Sequence, residues 1–156
     1  MEMNREGHTG PNGAMPSDSE AKLTSMRESH MSKLKRLADE VAEELPKELF
    51  RELNGGIVIA ERTKRHRQSD PRQPLYVLGE YSRSSSMGRY IILYGGSILR
   101  LYGRLSDEQL KAELRRIICH EFTHHIESLS GVRDLEVEDE KMLMQYKCRF
   151  SDPHAD

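Results

Sequence analysis

Residues 120–124 read His-Glu-Phe-Thr-His, two imidazoles four positions apart with a carboxylate between them. On a helix, positions i and i+4 lie one turn apart on the same face, so both rings can reach one tetrahedral Zn2+ at about 2.0–2.1 Å. Glu121 is turned about 100° from His120 and reaches a water on such a metal rather than the metal itself. There a carboxylate serves as general base while the zinc brings the water's pKa toward ~7. The pattern therefore encodes metal-assisted hydrolysis, with His120 and His124 as ligands and Glu121 as base.

The bland alternative is two histidines on a polar helix face that bind nothing. The context argues against it. Ser106 opens a helix, with Gln109 as its capping-box partner and Asp107 and Glu108 in the first turn, where acidic groups suit the helix dipole. Leu110, Leu114, Ile117 and Ile118 form its apolar stripe, and Glu121 falls near the centre of that stripe, with His120 and His124 on its flank. An apolar face that runs into ionisable groups is costly unless an ion compensates.

The elements that must hold this helix are legible in outline. Residues 1–19 are rich in Gly, Pro, Ser, Asn and Glu and read as a disordered leader. A domain spans residues 20–150, and 151–156 form a tail. Leu34, Leu37, Val41 and Leu45 recur at helical steps. Pro46 ends that helix and opens a short second one, PKELFREL. Asn54-Gly55-Gly56 marks a turn. Ile57 to Ala60, Leu75 to Tyr81 and Tyr90 to Tyr94 read as strands, the last two separated by SRSSSMG. Gly95-Gly96 breaks the last strand, and SILRLYG fits either a strand or a helical turn.

In order and spacing, residues from about 34 to 147 resemble the minimal zincin-like metallopeptidases of bacteria. There a helix ending in proline, as in LADEVAEELPKELFREL, leads to a strand like GGIVIAER. A strand ending in LY and a short SIL-like segment follow, as in IILYGGSILRLYG, and then a helix carrying HExxHH, as in LRRIICHEFTHHIE. The resemblance implies a small α+β zincin-like domain: an N-terminal helix, a small mostly antiparallel sheet and the HExxH helix packed on it. It also implies a zinc-dependent peptidase whose edge strand binds extended substrate by β-augmentation. Tyr90 to Tyr94 is the strand expected there. From residue type alone, Tyr94 or Tyr146 is a candidate to steady the oxyanion.

This sequence departs from the family pattern HHxGxxD. Glu127 stands at the Gly position and Ser130 at the Asp position, and SLSGVRDLEVEDEKML follows. Read as an insertion that continues the helix to Leu129 and turns at Gly131, it aligns the acidic third ligand with Asp139, with Glu136 and Glu138 as competitors. Glu127 shares the histidine flank, but its Cα lies about 10 Å along the axis from that of His120, so orienting a histidine suits it better than ligation. His125 reads as packing or a polar role beside the site. The acidic run 134–140 read without the resemblance is a solvated loop and helix start.

Composition bounds the rest. A net charge of −2 exerts no global pull on nucleic acid or anionic lipid. The basic segment Arg62, Lys64, Arg65, Arg67 and Arg72 lacks interleaved aromatics and reads as a solvated hairpin loop. No 18-residue apolar run or secretory h-region is present, so a cytoplasmic protein with no membrane partner is expected. Cys119 and Cys148 stand in no CxxC pattern. They read as a small buried side chain and an unrelated thiol, which fits a reducing compartment. The expected partner is a peptide or protein substrate. The rival readings are a protease that cleaves a single partner protein and a non-catalytic zinc-binding module; the intact Glu121 weighs against the latter, since a structural site needs no base.

Overall fold

The computed structural model describes residues 15–129. Helix α1 spans Asp18–Glu44 and a 3-10 turn Lys47–Phe50; strands β1 (Gly56–Ala60), β2 (Lys64–Arg65), β3 (Tyr76–Val77), β4 (Gly79–Ser84) and β5 (Gly88–Tyr94) follow, then α2 (Gly95–Tyr102) and α3 (Asp107–Leu129). The domain is α+β.

α1 starts inside the stretch expected to be leader. Ser17 accepts from the Glu20 N–H, and Glu20 reaches back to the Ser17 N–H at 2.9 Å, closing a capping box. The remainder of that leader, residues 1–14, lies outside the described residues, as do the tail and residues 130–150. The first thirteen positions of α1 are solvent-exposed; only Leu34, Leu37, Ala38 and Val41 enter the core. PKELFREL forms a single 3-10 turn with Pro46 as its cap rather than a second α-helix.

The strands form a three-stranded sheet in the order β1-β5-β4 and a two-stranded ribbon of β2 and β3. Both β4–β5 and β2–β3 pair antiparallel, whereas β1 and β5 pair parallel, Gly56 opposite Tyr90 and Ala60 opposite Tyr94. A parallel neighbour needs a long crossover, and the segment from residue 61 to 87, ribbon and β4 included, supplies it. The basic segment thus contributes a strand, since Lys64 and Arg65 pair with Val77 and Tyr76. SRSSSMG is mostly paired; Ser85 to Met87 make the turn, and Gly88 takes φ 69 to close it.

SILRLY is helical, within α2, and Gly103 is its C-cap. Gly96, the second residue of α2, sits where a Cβ would come within 2.8 Å of the Arg62 and Glu61 main chain. The helix start is pinned by buried Ser97, whose hydroxyl accepts from the Lys64 N–H at 2.9 Å and donates to the Lys64 carbonyl.

The core lies between α1, α3 and one face of the sheet, with Leu34, Val41, Ile91, Leu93, Leu110, Leu114 and Ile118 buried in it. Lys33 and Arg36 of α1 pair with Asp107, and Glu44 pairs with Lys111 and Arg115. Rising numbers on one helix meet rising numbers on the other, so α1 and α3 run in the same direction. Among the described residues no helix is long and apolar enough to cross a membrane.

Candidate metal centre

α3 begins as its sequence requires: Gln109 N–H donates to Ser106 Oγ, and the Gln109 side chain accepts from the Ser106 N–H. Leu110, Leu114, Ile118, Phe122 and Ile126 are fully buried along one stripe, and Glu121 sits within it at 6% exposure. Phe50 packs edge-on against Phe122, ring centroids 5.0 Å apart, and fixes the helix face just below the site.

His120 and His124 lie on the exposed flank, and their Nε2 atoms stand 3.3 Å apart. Two ligands at about 2.0–2.1 Å from a tetrahedral ion are separated by roughly 3.3–3.4 Å, so the pair is spaced to share one zinc. Glu127 Oε2 lies 3.8 Å from His124 Nδ1, on the ring nitrogen opposite the one that faces His120. That is where a carboxylate orients a ligating histidine, not where it joins the same ion. Among the described residues no group of three or more His, Cys, Asp or Glu is placed to hold a metal. Asp139, Glu136 and Glu138 lie outside the described residues, as does Tyr146.

An open cleft over the two histidines is lined by Gly79, Glu80, Tyr81, His120, Glu121 and His124. The strand beside it is β4, not Tyr90 to Tyr94. β5 is central, bonded on both sides to β1 and β4, and has no free edge to offer. Tyr94 also does not serve the cleft: it is 2% exposed and donates its hydroxyl to Glu80 Oε2 at 2.8 Å. The other oxygen of Glu80 takes Lys64 Nζ. Tyr94 N–H donates to the Leu78 carbonyl. With the β4–β5 register this puts residues 80 and 82 in the bonded pairs and turns the main-chain groups of 79, 81 and 83 to the open edge.

Burial pushes the Glu121 carboxyl above the usual carboxylate range. The charges of His120 and His124 and a hydrogen bond from the Tyr81 main-chain N–H pull it down without cancelling that rise, and Glu80 adds to it.

His125 is fully buried. Its Nε2 lies 2.8 Å from the Arg51 carbonyl and its Nδ1 2.8 Å from the Tyr81 hydroxyl. Both ring nitrogens are thereby committed to polar partners, in keeping with a polar role beside the site. Burial holds the imidazole below the usual histidine range, against the Arg51 bond. Tyr81 and Gly79 carried no signal in the sequence beyond lying on a strand; only the approach of α3 to β4 brings them to the site. Cys119 is buried, as expected, but it is disulfide-bonded rather than a free thiol. Cys148 lies outside the described residues.

No family model matches the sequence, and no curated protein matches it. Among solved structures the chain is similar to a conserved hypothetical protein from Thermo thermophilus. The two are 29% identical with a TM-score of 0.54, over 66% of this chain and 99% of that one.

Proposed function

We propose that the chain is a small zincin-like metallopeptidase that binds one Zn2+ through His120 and His124 and cleaves peptide bonds with Glu121 as general base. The observation that carries this reading is the 3.3 Å separation of the two exposed Nε2 atoms above a buried carboxylate. A bare imidazole–imidazole hydrogen bond gives the same distance, but water competes for it at an exposed face and nothing in such a bond requires Glu121 beneath it. The order of motifs shared with the minimal zincin-like peptidases supports the same reading, and through that resemblance Asp139 is the proposed third ligand.

The zinc, when bound, supplies Lewis acidity that polarises the scissile carbonyl and acidifies water. His120 and His124 hold it through Nε2, with Glu127 aligning His124 from the opposite nitrogen. Glu121 takes a proton from the attacking water and returns it to the departing amine. The outward main-chain groups of Gly79 and Arg83 and the carbonyl of Tyr81 on β4 are free of β5 and can pair with an extended substrate backbone. The substrate is a peptide or protein. Zinc-loaded protein should cleave members of a broad peptide library, lose that activity to a chelator and regain it with Zn2+. Cleavage that survives complete removal of metal would overturn the reading.

A further inference from the structure

We propose that His125 is a positioning residue: fixed in one tautomer by the Arg51 carbonyl, it holds Tyr81, and Tyr81 in turn holds the carboxylate of Glu121. The inference rests on the peptidase reading for its consequence in catalysis, and on geometry alone for the linkage itself.

A carbonyl oxygen can only accept, so the 2.8 Å contact to Arg51 puts a hydrogen on His125 Nε2. In the neutral ring Nδ1 carries a lone pair, and the Tyr81 hydroxyl at 2.8 Å donates to it. The same hydroxyl lies 2.9 Å from Ser128 Oγ, one turn further along α3, but the Ser128 proton goes to the His125 carbonyl at 2.8 Å, so Ser128 holds His125 rather than Tyr81. The Tyr81 side chain is thus tied to α3 at residue 125, while its main-chain N–H faces the Glu121 carboxylate one turn earlier, in the cleft that both residues line. One residue of the edge strand therefore grips the helix on both sides of His124. The far end of the chain is also built. Glu52 takes φ 60, a left-handed conformation unusual for a residue with a Cβ, directly after the Arg51 carbonyl that receives His125. Arg89 Nη1 lies 3.6 Å from Glu52 Oε2 and helps keep that turn in place. With both nitrogens used, His125 has no lone pair left for a metal. Its work is to set the height of Glu121 above the substrate edge.

Two experiments separate this from the peptidase reading. In the wild-type protein, 15N NMR of the imidazoles at neutral pH should show His125 as a single neutral Nε2–H tautomer. An Nδ1–H tautomer or an imidazolium would overturn the proposal. Tyr81→Phe keeps the main-chain N–H and ring but loses the hydroxyl. It should retain zinc stoichiometry, speed amide exchange at position 81, and lower kcat roughly 10- to 100-fold with KM little changed, the size of effect a small misplacement of a reacting group produces. Unchanged exchange at position 81 together with unchanged kcat would overturn it. If the wild type cleaves no peptide, the peptidase reading fails alone, and the tautomer and exchange measurements still decide the linkage.

Discussion

Gly79 of the edge strand lies so close to Ile117 of α3 that a Cβ on Gly79 would stand 3.2 Å from Ile117 Cγ2. The same atom would meet the Ile92 carbonyl and Leu93 Cδ2, both at 3.3 Å. To admit it, these neighbours on α3 and β5 would have to give by a few tenths of an ångström. The missing side chain therefore lets α3 rest on β4 one turn before His120 and Glu121.

Gly79→Ala should force α3 and β4 apart by a few tenths of an ångström. Overpacking of this kind costs about 1–3 kcal/mol. Denaturant unfolding should show that loss, and the Tyr81 N–H bond to Glu121 should weaken with it. A variant as stable as wild type would show that the helix does not depend on this close approach.

The zinc assignment predicts about one metal ion per chain. His120→Ala and His124→Ala should each empty the site, because a tetrahedral ion loses one of its few protein ligands. Asp139→Ala should do the same if the resemblance aligns the insertion correctly. Glu127→Ala, which removes only a partner of His124 Nδ1, should weaken zinc by about 10–100-fold. Metal analysis of the four proteins decides it; an empty Glu127→Ala site beside a full Asp139→Ala site would move the third ligand to Glu127.

How much of this was legible depends on the range of the signal. Helix α3 could be read from Ser106 to Leu129 because capping and the 3.6-residue stripe are local, and the same periodicity put Glu121 inside the stripe. Strands could be found but not ordered. Alternation tells which side chains share a face and says nothing of the neighbour, so Tyr90 to Tyr94 was expected at the edge and lies between β1 and β4. Ser17 and Glu20 did carry a capping signal, hidden under a composition that read as disordered. Tyr81 and Gly79 matter only through their distance from α3, which no spacing within the strand records. The third ligand falls beyond the described residues.

Acid sensitivity should be traceable to the seam between the parallel helices. Burial raises the Glu44 carboxyl, but hydrogen bonds from Lys111 and Arg115 outweigh it and leave the group below its ordinary value of 4.5. A carboxyl lowered in the folded state stabilises the fold fully above its unfolded value, and that contribution fades as pH falls through the folded value. Stability should thus decline as pH drops below about 4.5, and Glu44→Gln should flatten that part of the curve. With a side chain about half exposed, the effect should be small. Identical acid limbs for the two proteins would show that the ion pairs contribute nothing.

Glu121 should separate metal binding from chemistry. It follows His120 by one residue, so it points about 100° away from the two imidazoles and into the buried stripe. The zinc should therefore not need it. Glu121→Gln keeps the side-chain volume, and its amide oxygen can still accept from the Tyr81 N–H, so fold and zinc content should match wild type. The amide cannot take a proton from water. General-base contributions are typically 10²–10⁴-fold, and peptidase activity should fall by that order. Because burial disfavours a charged carboxylate at this position, the variant should be at least as stable as wild type, which keeps loss of activity from being confused with unfolding. Metal analysis, thermal unfolding and cleavage of the same peptide by both proteins make the test. Full activity in a zinc-loaded Glu121→Gln protein would remove Glu121 from the reaction, and loss of zinc in that variant would place it among the ligands instead.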